Sequence, residues 1–405
     1  MDEPRDDRTA LLLALGRGLH QAGLSTDALE DVLHDVAVAS GVALQVNVLP
    51  TSMILAVGTG FTQRVVVLRL DPGKLHLRKL AQLETVVDAV RRGLAPGEAL
   101  AAVTQIDTAA RPDHPLVTVG AYAVLATGTA LLIGGQPGDV AASAVAGTAI
   151  GIIGALAQRS QRVDRVFEIS AAFVATVIIA LWERAVAPVA LYVVLVAAIV
   201  QLLPGYSLTT ALGELANRNV VSGTARLGGV FVTLLSLGCG FALGSAVGGP
   251  TLMSSPTIGA ASTTWFSSLG AGALMALGIA LILHARARDV GWIVVAALAT
   301  IAISRLFALF GITVAAPFLT AFALGLATIF AARYLRIPRS VVLVPALLVL
   351  VPGSISYESL LSIFQQADTT DAVSLASRAL LTAILIVAGF LTSQLAAAAA
   401  RTGDT

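Results

Sequence analysis

Charge is what this chain has least of. Only 12% of its 405 residues are Asp, Glu, Lys or Arg. A soluble domain carries about 25%, and a large core does not explain the deficit, because the surface around it would lack polar cover. Cysteine is nearly absent. Cys239 stands alone in an apolar run, which excludes an intrachain disulfide and a cysteine-rich metal site. The five histidines (His20, His34, His76, His114 and His284) are scattered and read as ordinary surface or interface residues rather than ligands. The net charge is +1, so no basic field points to nucleic acid. There is no Walker loop of the GxxxxGK(S/T) type, no HExxH and no GxSxG, so ATP-driven transport by this chain is not expected and no hydrolase motif stands out. No cofactor and no metal are expected. Gly58-Thr59-Gly60 is too short to mean nucleotide binding, and Asp107, Asp113 and His114 read as a polar linker. The acidic start MDEPRDDRTA and the short apolar run at 11–15 lack the basic flank of a secretory signal, so no cleaved leader is expected.

Hydrophobic residues, in contrast, make up 57% of the chain, with a mean hydropathy of +0.87. Lipid is the solvent that tolerates such a composition. The expected fold is mostly α: a polytopic membrane protein of about ten helices in two inverted five-helix halves, behind an N-terminal cytoplasmic α/β domain. The expected boundaries are 1–114 for that domain, 115–262 for the first half and 263–405 for the second. Within the first, 11–39 has helical spacing, and Ser25-Thr26-Asp27 suits a helix start. The runs 42–48, 52–57 and 64–70 read as strands, and 77–92 and 96–106 read as helices, with Pro96 at a helix start.

Spans of ~20 residues are expected near 116–134, 138–157, 166–183, 186–204, 224–248, 264–284, 290–310, 313–333, 340–364 and 373–399. Arginines cluster in alternate connections: Arg159, Arg162 and Arg165; Arg218; Arg286 and Arg288; Arg333, Arg336 and Arg339. The connections 134–139, 249–263 and 365–372 have no Lys or Arg, and Arg184 is the one exception. By the positive-inside rule both termini fall in the cytoplasm, and the chain is expected in the inner membrane as a multi-pass protein.

Two stretches echo each other. VVLVAAIVQLLPG at 193–205 and VVLVPALLVLVPG at 341–353 both run on into hydroxyl residues and a glutamate. Five spans per half would invert the second copy, the plan of many secondary transporters. Proline and glycine break a helix, and a break at membrane depth survives only beside protein or a wet cavity. The restarting helix offers free N–H groups to an anion. Candidate substrate contacts are therefore Pro204, Gly205, Ser207, Thr209 and Thr210 at the first break, and Pro352, Gly353, Ser354 and Ser356 at the second. Ionisable residues at depth are the other signal. Glu358 is the expected proton partner, with Arg305 or Arg378 to neutralise it. Glu214, Glu168, Asp164 and Arg226 complete the charged set. Small residues such as Gly147, Gly151 and Gly154 read as close helix packing.

Three segments resemble the threonine/serine exporter family of bacteria: Gly16 to Glu30 (GRGLHQAGLSTDALE), Leu203 to Leu215 (LPGYSLTTALGEL) running on to Gly223 and Arg226, and Val351-Pro352-Gly353-Ser354. The resemblance implies export of threonine and serine driven by the proton motive force, through about ten spans. The same family is similar to a two-protein pair associated with dicarboxylate export, so a succinate-like substrate stays open. So does a membrane-anchored hydrolase built on the N-terminal domain. The partners expected are a small polar solute and the bilayer, with a homo-oligomer also open.

Overall fold

The computed structural model describes residues 7–70, 73–109, 114–249, 264–350, 357 and 369–402. The chain begins with α1 (Asp7–Gln21) and α2 (Thr26–Ala39), followed by β1 (Leu44–Leu49), β2 (Ser52–Val57) and β3 (Arg64–Arg69), then α3 (Leu77–Arg91) and α4 (Pro96–Thr108). The strands form one antiparallel sheet in the order β1-β2-β3, with Val46 opposite Leu55 and Leu55 opposite Val66. Leu15, Leu19, Leu33, Met53, Leu55, Leu83 and Val103 bury together. These strands and helices lie where the apolar alternation and the helical spacing put them.

From residue 115 the chain is helical: α5 (Pro115–Leu132), α6 (Pro137–Ala157), the single turn α7 (Gln161–Asp164), α8 (Phe167–Ala185) and α9 (Leu191–Ile199) with its 3-10 extension to Leu202. α10 (Gly205–Ala216), α11 (Val220–Gly248), α12 (Trp265–Ile282), α13 (Ala287–Leu309), α14 (Ala316–Tyr334), α15 (Arg339–Leu350) and α16 (Thr369–Thr402) follow. Seven of these are long and apolar enough to cross a membrane, and the bent pair 191–202 and 205–216 makes up to eight. Two of the ten expected spans differ. α8 carries Glu168, Glu183 and Arg184 at its ends. α15 has only 12 described residues, and the rest of 340–364, Tyr357 apart, lies outside the described residues. Hydroxyls inside the helices bond back to their own carbonyls, as Thr127 Oγ1 does to Ala123 O at 2.7 Å and Thr300 Oγ1 to Ala296 O at 2.7 Å. In lipid that removes an otherwise costly donor.

The packing repeats along the chain. α5 packs on α6, α6 on α8 and α9, and α8 on α11; likewise α12 on α13, α13 on α14 and α15, and α14 on α16. A methyl group at Gly240 would fall 2.3 Å from Ile169 O, 2.9 Å from Ala172 Cβ and 3.0 Å from Phe173 N. At Gly389 it would fall 2.4 Å from Phe318 O, 2.9 Å from Ala321 Cβ and 3.0 Å from Phe322 N. These are one contact built twice, at the same sequence interval. The two sets of helices meet through α5 and α12, where Gly128 faces the backbone of Met275 and Gly278 faces that of Leu125. One interval separates Gly128 from Gly278 and Leu125 from Met275, so the contact is self-complementary, as a two-fold relation requires.

The arginine-bearing connections share one face, against which the N-terminal unit packs. Lys74 pairs with Asp164. Leu77 N donates to Leu283 O at 2.9 Å, and Arg78 Nε to His284 O at 3.1 Å. His284 sits at φ 57 where its counterpart Gly134 has φ 87, and its ring stacks on His76 at 4.8 Å. Arg184, the exception to the arginine pattern, donates to Gly248 O. A cation at a helix C-terminus meets the orphan carbonyls there.

Candidate functional site

Pro204 decides the local geometry. It has no N–H to give and disfavours the helical conformation in the residue before it. Leu203 is accordingly extended (φ −65, ψ 123), after a 3-10 turn at 200–202. The helix resumes at Gly205, bent by 54°. From Leu191 to Leu202 the first arm is about 18 Å long at 1.5 Å per residue, shorter than the ~30 Å hydrocarbon core of a bilayer.

The break opens onto a cavity of about 630 Å³. Its walls come from the N-terminal unit (His20, Leu24, Pro50, Lys74), from the ends of α5, α6 and α8 (Thr118, Gln158, Glu168), from the break (Gln201, Pro204, Ser207) and from α11 (Arg226, Thr233). The two opposite charges on α8 and α11 lie at different depths. α8 runs beside α11 with Ile169 against Gly240, so Arg226 is roughly 20 Å further along α11, towards the N-terminal unit. Among the described residues the Glu168 carboxylate meets no hydrogen bond or ion pair.

Glu214 behaves differently. It is fully buried and accepts from Arg226 Nε at 3.0 Å and Nη2 at 2.8 Å. It also accepts from Thr26 N at 3.2 Å and Thr26 Oγ1 at 3.0 Å, at the start of α2. Asn217 Nδ2 adds a bond to Asp27 at 2.7 Å. This joint fixes the N-terminal unit on the corner between α10 and α11. A second joint runs the opposite way. Glu84, on α3, accepts from Ser340 N at 3.2 Å and Ser340 Oγ at 3.0 Å, at the start of α15. Burial is the main cause that raises the Glu84 carboxyl to about 7; the two Ser340 bonds oppose it. Burial likewise lowers His20, whose Nε2 lies 3.0 Å from Pro50 O.

Comparison with known proteins now bears on this geometry. A family model described as a putative threonine/serine exporter matches residues 10–248, and a second, described as threonine/serine exporter, ThrE, matches 269–396. The chain belongs to the threonine/serine exporter family. Neither a curated protein nor a solved structure matches it. Membership makes this a multi-pass membrane protein with a small amino-acid substrate, and points to transport rather than catalysis. The seam between the two matches falls between α11 and α12, where the packing pattern begins again.

In this exporter the sequence-derived site residues divide. Pro204, Ser207, Glu168 and Arg226 line this cavity. Gly205 and Thr209 are buried beside it, and Thr209 Oγ1 has no partner among the described residues. Thr210 Oγ1 is bonded to Tyr206 O at 2.9 Å. Asp164 is held by Lys74 at the surface. Arg305, half-buried on α13, and Arg378, exposed on α16, do not line the cavity. Pro352, Gly353, Ser354, Ser356 and Glu358 lie outside the described residues. Tyr357, between them, is fully buried against the α6–α9 core. Sequence reasoning missed Gln158, Gln201 and Thr233 in the cavity wall. It also read His20 and His284 as ordinary interface residues, and both line the cavity. A glutamine at the end of an apolar run, as at 158, or inside one, as at 201, was the available signal.

Proposed function

We propose that this exporter carries threonine and serine out of the cell across the inner membrane, driven by the proton motive force, with both termini in the cytoplasm. The helices form ten spans in two inverted halves behind a cytoplasmic domain; the repeated glycine contacts and the seam between the family matches support that reading. One observation carries the mechanism: a helix that stops after about 18 Å opens onto a cavity walled by Ser207, Arg226 and Glu168. Backbone groups freed by the break and hydroxyls on the restarting helix suit a small hydroxylated amino acid. Glu168, in the cavity wall and without an ion-pair partner among the described residues, disfavours a dicarboxylate, because like charges repel. Glu358 is the proton partner, as its place among apolar residues suggests.

The test is efflux from cells loaded with a threonine dipeptide. Cells producing the chain should release threonine faster than control cells, and an uncoupler should abolish the difference. Pro204→Ala, which restores a backbone donor at the break, should cut efflux while leaving the protein in the membrane. Succinate release without threonine release would show that the dicarboxylate reading is the correct one.

A further inference from the structure

The helices α9 and α15 start in different ways. In the first half, Asp139 at the start of α6 accepts from Ala190 N at 2.7 Å, the residue just before α9. The carboxylate that caps α9 thus comes from the same half. Asp289 stands at the matching place in α13, at the interval that separates Gly128 from Gly278, and it is also buried. Asp289 does not cap α15. Its Oδ2 accepts from Arg286 Nε, and Arg288 Nε lies 3.8 Å from Oδ1. At the interval that separates Val193 from Val341, Ala190 matches Pro338, which has no N–H to offer. The cap of α15 falls two residues on, at Ser340, and comes from Glu84 of the N-terminal unit, which accepts both the N–H and the hydroxyl of Ser340.

We propose that Glu84 is a positioning residue for transport: the N-terminal unit supplies to the second half the helix cap that the first half supplies to itself, so docking of the unit sets where α15 stands. The inference rests on the export reading. α15 leads into the segment that carries the second Pro-Gly pair and Glu358, so its placement bears on the proposed proton partner. A carboxylate is the right group for the task. A helix start presents unpaired N–H groups and a positive dipole end, and an acceptor there typically contributes about 1 kcal/mol. The charged groups that act on Glu84 are Asp88 on its own helix and Arg339 on α15. The proton balance has a definite sign. Burial in the docked joint holds the carboxyl at about 7, above the 4.5 of a free carboxyl, so the docked form takes up a proton relative to a unit whose Glu84 is released into water. Docking is therefore strongest in acid and weakens as pH rises from about 4.5 through about 7.

The experiment uses the full chain in proteoliposomes and measures threonine counterflow at equal pH on both sides, so that no proton gradient drives it. Wild-type exchange should change across neutral pH. Glu84→Gln should flatten that change and leave the thermal midpoint of the detergent-solubilised protein in place. Ser340→Ala removes one of the two donors; it should shift the profile in the same direction by less, and add nothing to Glu84→Gln. Hydrogen exchange at the start of α15 gives a readout independent of activity: protection should fall from pH 5 to pH 8 in wild type, and not in Glu84→Gln. If Glu84→Gln and Ser340→Ala keep the wild-type counterflow profile and the wild-type exchange profile, the inference is overturned while export stands. If wild type shows no threonine counterflow, the export reading fails, and the hydrogen-exchange profiles still decide the role of Glu84.

Discussion

Glu214 and Glu168 are both carboxylates among apolar helices, and their surroundings separate them. Glu214 has four donor contacts from Arg226 and Thr26 and no exposure. Removing one partner of a buried ion pair strands the other, at a cost of about 3 kcal/mol or more. Glu214→Ala should therefore lower the thermal midpoint of the purified protein markedly. Glu168 has no such partners among the described residues, so Glu168→Gln should leave that midpoint nearly unchanged and act on threonine efflux instead. Equal destabilisation by the two substitutions would show that Glu168 has a structural partner. Nothing in the sequence near Glu214 announces its role, because Thr26 lies 188 residues away. A glutamate one helix turn into a polar stretch looks the same whether it meets solvent, substrate or a distant threonine.

At the scale of the element, small residues do the work that side-chain shape does in a soluble core. Lipid gives helices no hydrophobic reason to associate, so close backbone approach and dispersion must suffice. Gly240 against α8 and Gly389 against α14 are the same contact. Gly240→Leu and Gly389→Leu should each force apart one helix pair and lower the thermal midpoint by similar amounts. A loss at Gly240 alone would break the equivalence of the halves. The break at Pro204 was legible from two letters, since proline acts on its own backbone and needs no partner. The strands were legible because alternation is local. The number of spans was less so. Hydropathy weighs a window of residues, and the charges at both ends of α8 fall inside the window there. The repeat of glycine contacts was not legible at all. Glycine is frequent, at 37 residues, and only coordinates show which of them touch.

For the whole molecule, the N-terminal unit closes one wall of the cavity. His20, Leu24, Pro50 and Lys74 face it from that side. A solute arriving from the unit's side must pass this wall. The native side chains of Lys74 and Asp164 meet end to end. With Cys239 replaced by serine, a cysteine pair at these two positions should be joined by a bifunctional reagent that forms a disulfide with each thiol. That link should stop threonine efflux, and reductant should restore it. A direct disulfide is not expected, because it needs closer backbones than a lysine–aspartate contact gives. Efflux that continues through the crosslinked protein would mean solute enters by another route. The unit also holds both halves at once, through Thr26 on Glu214 and through Glu84 on Ser340. A strap fastened at two points cannot stay taut if the frame beneath it rocks. Each stroke must then unfasten one end. The Glu84 end carries the carboxyl that is reluctant to ionise, so near neutral pH that buckle is the one to slip first.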